Sequence, residues 1–226
     1  MKKFAAGHAR FLAEVFPDQR PLFERLSAGQ NPECLFITCA DSRVVPSLIT
    51  QTEPGEIFVC RNVGNIVPPL GEFTGGVSSA IEYAVMALGV KHIIVLGHSD
   101  CGAMKALMNP ESLRHMPAVA QWLRHADVAR HVVEHNHAEL SGPEKLAALT
   151  RENILAQIEH LQTHPSVAAR LRKGQLQLHG WVYDIQSGRI DAWDSRSGQF
   201  RPLGEQPREI PAPPPQVAST ETRIPA

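Results

Sequence analysis

The chain of 226 residues has a formal net charge of −1, and 43% of its residues are hydrophobic. This length and composition are typical of one α/β domain with a sizeable core, and the charge balance argues against binding to nucleic acid or to an anionic membrane surface. We find no run of about 18 apolar residues and expect no signal peptide, so a cytoplasmic protein with reduced cysteines is predicted.

The hydrophobic pattern predicts two amino-terminal helices, over residues 4–16 and 21–26, followed by strands that alternate with helices. Predicted strands cover residues 35–38, 57–60, 92–96, 176–183 and 189–194. Predicted helices begin at Pro46, where proline suits a first turn, and cover residues 77–88, 102–108, 118–131, 142–162 and 167–172.

This alternation predicts an α/β fold with a mainly parallel central sheet flanked by helices. The sheet has about four parallel strands plus an antiparallel C-terminal strand, and residues 1–30 form an N-terminal helical arm. Residues 1–203 are expected to form a single domain. Beyond them the chain becomes rich in proline and polar residues, which is typical of a mobile tail over residues 204–226.

Two predicted strands are each followed by side chains that bind metals. The string C-A-D-S-R begins at residue 39, and the string H-S-D-C-G begins at residue 98. Ligands bind beyond the carboxyl ends of parallel strands, so both strings are predicted to form one site. Two thiols and an imidazole suit tetrahedral zinc, which makes Cys39, His98 and Cys101 candidate ligands. The fourth position is left to Asp41 or to a solvent oxygen.

A zinc ion held by two thiolates is a weaker Lewis acid than one held by three imidazoles, so a neighbouring group must help its bound water. Asp41 lies two residues after Cys39, and Arg43 lies two residues further along. A bidentate pair between Arg43 and Asp41 would keep the carboxylate ionised and aimed.

Both strings resemble those of the β-class carbonic anhydrases. The resemblance continues through E-P-G-E from residue 53, R-N-V-G-N from residue 61, G-G from residue 75, I-E-Y-A from residue 81 and H-G-W-V-Y from residue 179. It covers about residues 21–200. The resemblance implies reversible hydration of CO2 to bicarbonate and a proton by zinc-bound hydroxide, with Zn2+ as the cofactor.

The resemblance also implies two states of Asp41. In one state Asp41 pairs with Arg43 and accepts a hydrogen bond from the zinc-bound hydroxide. In the other it binds zinc itself and blocks the reaction. Because CO2 needs a free hydroxide, we take the first state as the working hypothesis, with Asp41 and Arg43 as catalytic residues.

Positions that match the plant-type subgroup of this family are implied to bind substrate: Gln30, Phe58, Val63, Tyr83 and Gly102. In the family, part of the pocket wall comes from a second subunit. We therefore expect a homodimer or a higher homo-oligomer whose small-molecule partners are CO2 and bicarbonate. Another subgroup places a tryptophan three residues before the first cysteine ligand and binds inhibitory bicarbonate nearby. Phe36 occupies that position here, which favours the plant-type subgroup.

A narrower resemblance and two other functions stay open. Residues 115–124 and 161–165 are similar to bacterial members associated with cyanate breakdown, which supply bicarbonate to cyanase. A hydrolase acting on CS2 or COS would use the same ligands behind a narrower entrance. A non-catalytic zinc-binding protein would keep Asp41 closed on the metal.

Two further features are interpreted as structural. Cys34 and Cys60 lie on predicted strands and are expected to be core thiols. The string H-x-x-E-H, from His131 to His135, matches a short metallopeptidase signature. Its surroundings are polar, so we expect a solvated helix end there instead of a second zinc site.

Overall fold

A computed structural model describes residues 1–71 and 75–204 of the chain. Six strands form one sheet in the order β2-β1-β3-β4-β5-β6. They are β1 (Cys34–Cys39), β2 (Ile57–Asn62), β3 (His92–His98), β4 (Gln177–Tyr183), β5 (Ile190–Asp194) and β6 (Gln199–Pro202). The strands β2, β1, β3 and β4 run parallel, and β5 and β6 continue the sheet in antiparallel orientation. The predicted α/β fold with a mainly parallel sheet is confirmed.

Helices surround this sheet and form the predicted arm before it. The arm consists of α1 (Lys2–Arg10) and α2 (Phe16–Leu26), joined by a π-helical segment (Phe11–Val15). The remaining helices are α3 (Pro46–Thr50), α4 (Gly76–Glu82), α5 (Gly102–Met108), α6 (Pro117–Leu123), α7 (Asp127–Asn136), α8 (Gly142–Gln162) and α9 (Pro165–Arg172). Helix α4 continues into a second π-helical segment, Tyr83–Ala87, and short 3-10 turns cover Pro110–Leu113 and Arg124–Ala126.

Besides shifts of a few residues at element ends, three larger differences separate the prediction from the structure. The arm is not interrupted at residues 17–20: Pro17 falls in the first turn of α2, where proline is tolerated, and α2 continues through Pro21, where the second predicted helix began. The predicted helix over residues 118–131 is divided into α6 and α7 by a 3-10 turn. Strand β6 was not predicted, because Phe200 is its one large apolar residue. In the structure Phe200 packs with Trp193 of β5, with 5.3 Å between ring centroids.

Nearly every residue of β1 and β3 is buried. Since successive residues of a strand point to opposite sides, both faces of these strands are covered. On one face, Leu35 and Ile37 pack in a cluster that includes Ile81 of α4 and Ile154 of α8. On the other face, Phe36 packs with Ile94 and Leu96. Burial on both faces explains why β1 and β3 read as continuous apolar runs in the sequence.

The register of the parallel strands places three carboxyl ends side by side. Cys39 pairs with Asn62 of β2, and Thr38 pairs with Leu96 of β3. The hydroxyl of Thr38 donates to the carbonyl of Leu96 at 3.1 Å. The segments that follow β1 and β3 therefore meet at one edge of the sheet, where parallel sheets bind ligands.

Within the described residues, no helix is long and apolar enough to cross a membrane. The predicted tail over residues 204–226 lies outside the described residues, apart from Gly204.

Candidate metal centre

Three side chains converge at the carboxyl ends of β1 and β3. Candidate ligand atoms of Cys39, His98 and Cys101 all lie within 4.8 Å of one another, and all three residues are buried. Cys39 ends β1, His98 ends β3, and Cys101 immediately precedes α5. The fold thus brings together the three residues that the sequence predicted as ligands.

The imidazole of His98 has one partnered and one unpartnered nitrogen. Its Nδ1 lies 2.9 Å from the carbonyl oxygen of Ser99, which places the ring proton on Nδ1 and leaves a lone pair on Nε2. Nε2 is buried and has no hydrogen-bond partner among the described residues. A buried polar atom without a partner is costly, and a bound metal ion would remove that cost.

The two sulfurs influence each other because they are close and buried. A hydrogen bond from the Cys101 thiol lowers the pKa of Cys39, with further help from His98 and from the N–H of Gly64, 3.5 Å from the Cys39 sulfur. The charge on Cys39 in turn raises the pKa of Cys101. Burial opposes protonation of His98, but the neighbouring Cys39 raises the pKa of His98 overall. One thiolate is therefore favoured in the free protein, and a cation would allow both sulfurs to ionise.

The donor set of two sulfurs and one imidazole nitrogen fits a zinc ion in a tetrahedral site. Three protein ligands leave one position open, as in catalytic zinc sites. The cluster could therefore hold a catalytic metal.

Asp41 and Arg43 form a fork beside this cluster. Nε and Nη2 of Arg43 donate to Oδ1 and Oδ2 of Asp41 at 3.0 and 2.8 Å. The backbone N–H of Arg43 also donates to Oδ1, at 3.0 Å. These bonds hold the pKa of the Asp41 carboxyl well below its usual range. Oδ2 of Asp41 lies 3.9 Å from Nε2 of His98, so an ionised carboxylate borders the proposed metal position.

The roles of two residues at this site, Arg61 and Asp100, were not predicted from the sequence. Arg61 donates from Nη2 to the Asp41 carbonyl at 2.7 Å and from Nε to the Cys39 carbonyl at 3.2 Å. Asp100 accepts a hydrogen bond from Nη1 of Arg43 at 3.1 Å. Two sequence positions pointed to these residues: Asp100 lies between His98 and Cys101, and Arg61 lies at the end of β2. Neither position reveals the partner.

Two predicted substrate-binding residues lie beside the cluster. Gly102 directly follows Cys101 and is the first residue of α5. Val63 precedes Gly64, whose N–H contacts the Cys39 sulfur, and the carbonyl of Val63 accepts a hydrogen bond from Trp122 at 2.8 Å.

The other three predicted pocket residues lie away from the cluster of their own chain. Phe58 pairs with Leu35, four residues before the pair formed by Cys39, which corresponds to about 13 Å along the strands. Tyr83 lies against Phe58, with 6.0 Å between ring centroids. Gln30 lines a cavity at the opposite, amino-terminal end of the strands. One chain alone therefore does not assemble the whole predicted pocket.

The remaining cysteines are core thiols, as predicted. Cys34 is buried, and burial raises the pKa of its thiol to about 12. Cys60 is half-buried, and burial raises the pKa of its thiol as well.

The H-x-x-E-H string lies on an exposed face of α7. Nδ1 of His131 lies 2.8 Å from the carbonyl oxygen of Asp127, and Glu134 accepts a hydrogen bond from Arg130 at 3.0 Å. Across residues 1–71 and 75–204, only Cys39, His98 and Cys101 form a group of three or more candidate ligands. The string is therefore not part of a group of three candidate ligands in this part of the chain.

Comparisons with known proteins identify the family of the chain. The family model described as carbonic anhydrase matches residues 34–190. A carbonic anhydrase of Pseudomonas aeruginosa is 52% identical over 207 residues, which cover 92% of this chain and 94% of that relative.

Solved structures are similar over most of the chain. The β-carbonic anhydrase CcaA is 46% identical with a TM-score of 0.88, covering 89% of this chain and 98% of that one. One of the tetrameric β-carbonic anhydrases of Sordaria macrospora is 31% identical with a TM-score of 0.76, covering 84% of this chain and 95% of that one. The chain therefore belongs to the β-class carbonic anhydrases. Its reaction is the reversible hydration of CO2 to bicarbonate and a proton.

Proposed function

We propose that the hydration of CO2 takes place at a zinc ion held by Cys39, His98 and Cys101. The observation that carries this proposal is the buried, unpartnered Nε2 of His98, which lies with two sulfurs in a cluster 4.8 Å across. Zinc bound there would act as a Lewis acid and lower the pKa of a coordinated water, which supplies a nucleophile near neutral pH.

In this proposal Asp41 orients the reacting water. Each carboxylate oxygen can accept two hydrogen bonds, so Oδ2 retains acceptor capacity beyond its bond from Arg43. Arg43 keeps Asp41 ionised and turned toward the guanidinium, so that the carboxylate accepts a hydrogen from the water and does not bind the metal. Arg61 donates to the backbone carbonyls of both Cys39 and Asp41, which fixes the position of the Asp41 carboxylate relative to the Cys39 sulfur.

We further propose that the CO2 pocket is completed by a second copy of the chain. Val63 and Gly102 would line the pocket of their own chain, and Gln30, Phe58 and Tyr83 would line the pocket of the partner. The arm supports this arrangement, since α1 and α2 bury no residue and leave Phe4 72% exposed. A homodimer or a larger homo-oligomer follows, in line with the tetrameric relative from Sordaria macrospora.

The pairing of Asp41 with Arg43 favours catalysis over a protein in which Asp41 is closed on the metal. The experiment that tests this measures zinc content together with CO2 hydration between pH 6 and 9, with CS2 and COS as parallel substrates. One zinc per chain and a hydration rate that rises with pH would support the proposal. Zinc without turnover at any pH would favour the non-catalytic protein, and turnover of CS2 or COS alone would favour the hydrolase. Folded protein that binds no metal would overturn the zinc site.

We also propose a cytoplasmic location, because all four cysteines are free and thiolate ligands must stay reduced to bind zinc. Residues 1–203 are proposed as one domain, since a single sheet runs from β1 to β6. The association with cyanate breakdown stays a prediction. It would be supported if deletion of the gene made growth on cyanate dependent on added CO2.

A further inference from the structure

Four charged side chains of alternating sign cross the edge of the metal centre. Lys105 of α5 forms an ion pair with Oδ1 of Asp100. Oδ2 of Asp100 accepts a hydrogen bond from Nη1 of Arg43 at 3.1 Å, and Arg43 in turn holds Asp41. The loop after β3 therefore holds the guanidinium that positions the carboxylate in the loop after β1.

The two aspartates do not compete for the same hydrogens of Arg43. Asp41 accepts from Nε and Nη2, whereas the side chain of Asp100 accepts from Nη1. Nη2 carries a second hydrogen, which is directed to the backbone carbonyl of Asp100 at 3.3 Å. A guanidinium has five N–H groups, so it can serve both loops at once. The contact with Asp100 thus adds to the fork with Asp41 and does not replace it.

The backbone at Asp100 suggests that this carboxylate has a function. Its φ is +58°, in the left-handed region where glycine is least strained and where aspartate and asparagine are tolerated. Asp100 also lies between two proposed metal ligands, His98 and Cys101. An aspartate in that conformation brings a charge to Arg43 that glycine could not bring.

We propose that Asp100, anchored by Lys105, is a positioning residue that keeps Arg43 in place and so keeps Asp41 off the metal. This inference rests on the proposed zinc site and on the proposed role of Asp41. Without Asp100, Arg43 is held mainly by Asp41 itself and can follow that carboxylate. Oδ2 of Asp41, 3.9 Å from Nε2 of His98, then moves more readily onto the metal.

The solvent exposure of these charged side chains limits how much the loss of Asp100 can change the metal site. The side chains of Arg43, Asp100 and Lys105 are 44%, 55% and 53% exposed. Exposed ion pairs are weak and are screened by salt. Loss of the Asp100 carboxylate should therefore lower the fraction of protein with an open metal position by a factor of about two to five at low ionic strength, and high salt should remove the difference.

The test uses full-length Asp100→Asn and Asp100→Gly, since both residues tolerate the positive φ. In the zinc-loaded protein we expect kcat to fall by about two- to five-fold at low ionic strength. The ratio of wild-type to variant kcat should approach one in concentrated sodium sulfate. Lys105→Met should give a smaller loss in the same direction, and Lys105→Arg should retain activity. Asp194→Asn, at a remote and partly buried aspartate on β5, is the control for the same substitution elsewhere in the chain.

A second readout does not depend on turnover. Azide binding to the cobalt-substituted protein reports how often the metal position is accessible, because a blocked fraction weakens the apparent affinity. We expect Asp100→Asn to weaken azide binding by the same factor by which kcat falls. In an Asp41→Asn background, adding Asp100→Asn should change azide affinity no further, because the blocking carboxylate is gone.

Equal azide affinity in wild type and in both Asp100 variants at low ionic strength would overturn the inference. A loss of kcat that persists unchanged in high salt would also overturn it. These results are distinguishable from failure of the proposed function, which would appear as absence of bound zinc or of CO2 hydration in the wild-type protein itself.

Discussion

A Cβ atom on Gly180 would lie 2.7 Å from Cγ2 of Ile154. Strand β4 and helix α8 therefore pack closely at the point where Gly180 has no side chain. The same atom would lie 2.9 Å from Cδ1 of Ile158. Ile154 is fully buried in the core cluster that supports β1 and β3. The spacing between α8 and the sheet therefore depends on glycine at this position.

We expect Gly180→Ala to lower the free energy of unfolding by about 1–3 kcal/mol, because the added methyl group overpacks a close contact. Thermal melting at a fixed protein concentration measures the loss. Gly76→Ala is the control, since a Cβ there meets no atom of the described residues within 4 Å. Equal melting temperatures for the two variants would show that α8 moves away at no cost.

Asp41→Asn should reduce kcat by about 10²- to 10⁴-fold while zinc stays bound. The amide cannot present two anionic acceptor oxygens, and its NH2 group faces the donors of Arg43. Stopped-flow hydration and metal analysis of the same sample measure both quantities. Full activity in the variant would remove Asp41 from the mechanism.

Arg43→Lys should lower kcat by about tenfold. An ammonium group cannot reproduce a fork that donates to both oxygens of Asp41 and also reaches Asp100. Steady-state hydration rates measure the change. Arg201→Lys, on β6, is the control for loss of a guanidinium. An active Arg43→Lys enzyme would mean that charge alone is sufficient at this position.

Removal of the metal should lower the melting temperature by about 5–10 °C, because a ligand that binds only the folded state stabilises it. The apoprotein keeps Nε2 of His98 without a partner among the described residues and places two sulfurs together without a cation. Calorimetry with and without a chelator measures the shift, and added zinc should reverse it. Cys101→Ala should melt at the same temperature with and without chelator.

The buried thiol of Cys34 predicts a loss of stability at alkaline pH. Burial raises its pKa from an ordinary value of 9.0 to about 12, so the folded state keeps a proton that the unfolded state releases. The contribution is complete below pH 9 and is lost as the pH rises toward 12. The loss amounts to at most about 1.4 kcal/mol per pH unit.

Urea unfolding between pH 8 and 10.5 measures this slope. Cys34→Ala should make the decrease in unfolding free energy with pH less steep. Cys60, whose pKa is also raised by burial, is present in both proteins and contributes equally to both slopes. A variant with the same alkaline slope as the wild type would show that Cys34 does not cause the loss.

The sequence alone was sufficient for most of the sheet and for the ligand cluster. Continuous apolar runs mark β1 and β3, and ligand residues at the ends of parallel strands must meet at one edge. The pairing of Asp41 with Arg43 was also predictable, because the two residues are separated by a single residue.

Contacts between distant segments could not be predicted in the same way. Asp100 and Arg43 are 57 residues apart, and only the fold shows that they pair. Residues such as Gln30 and Phe58 were assigned to the pocket by resemblance, which gives positions in a chain without saying which copy of the chain supplies them. Strand β6 was missed since four residues with one large apolar side chain show no clear alternation.

The pairing of β1 with β3 determines when the ligand cluster can form during synthesis and folding of the chain. Thr38 and Leu96 bond directly although they lie 58 residues apart, with β2, α3 and α4 between them along the chain. Local folding of either strand cannot create the cluster, and closing so long a connection is slow. Binding of the proposed zinc ion by all three ligands therefore requires that translation has passed Cys101 and that β1 and β3 have paired.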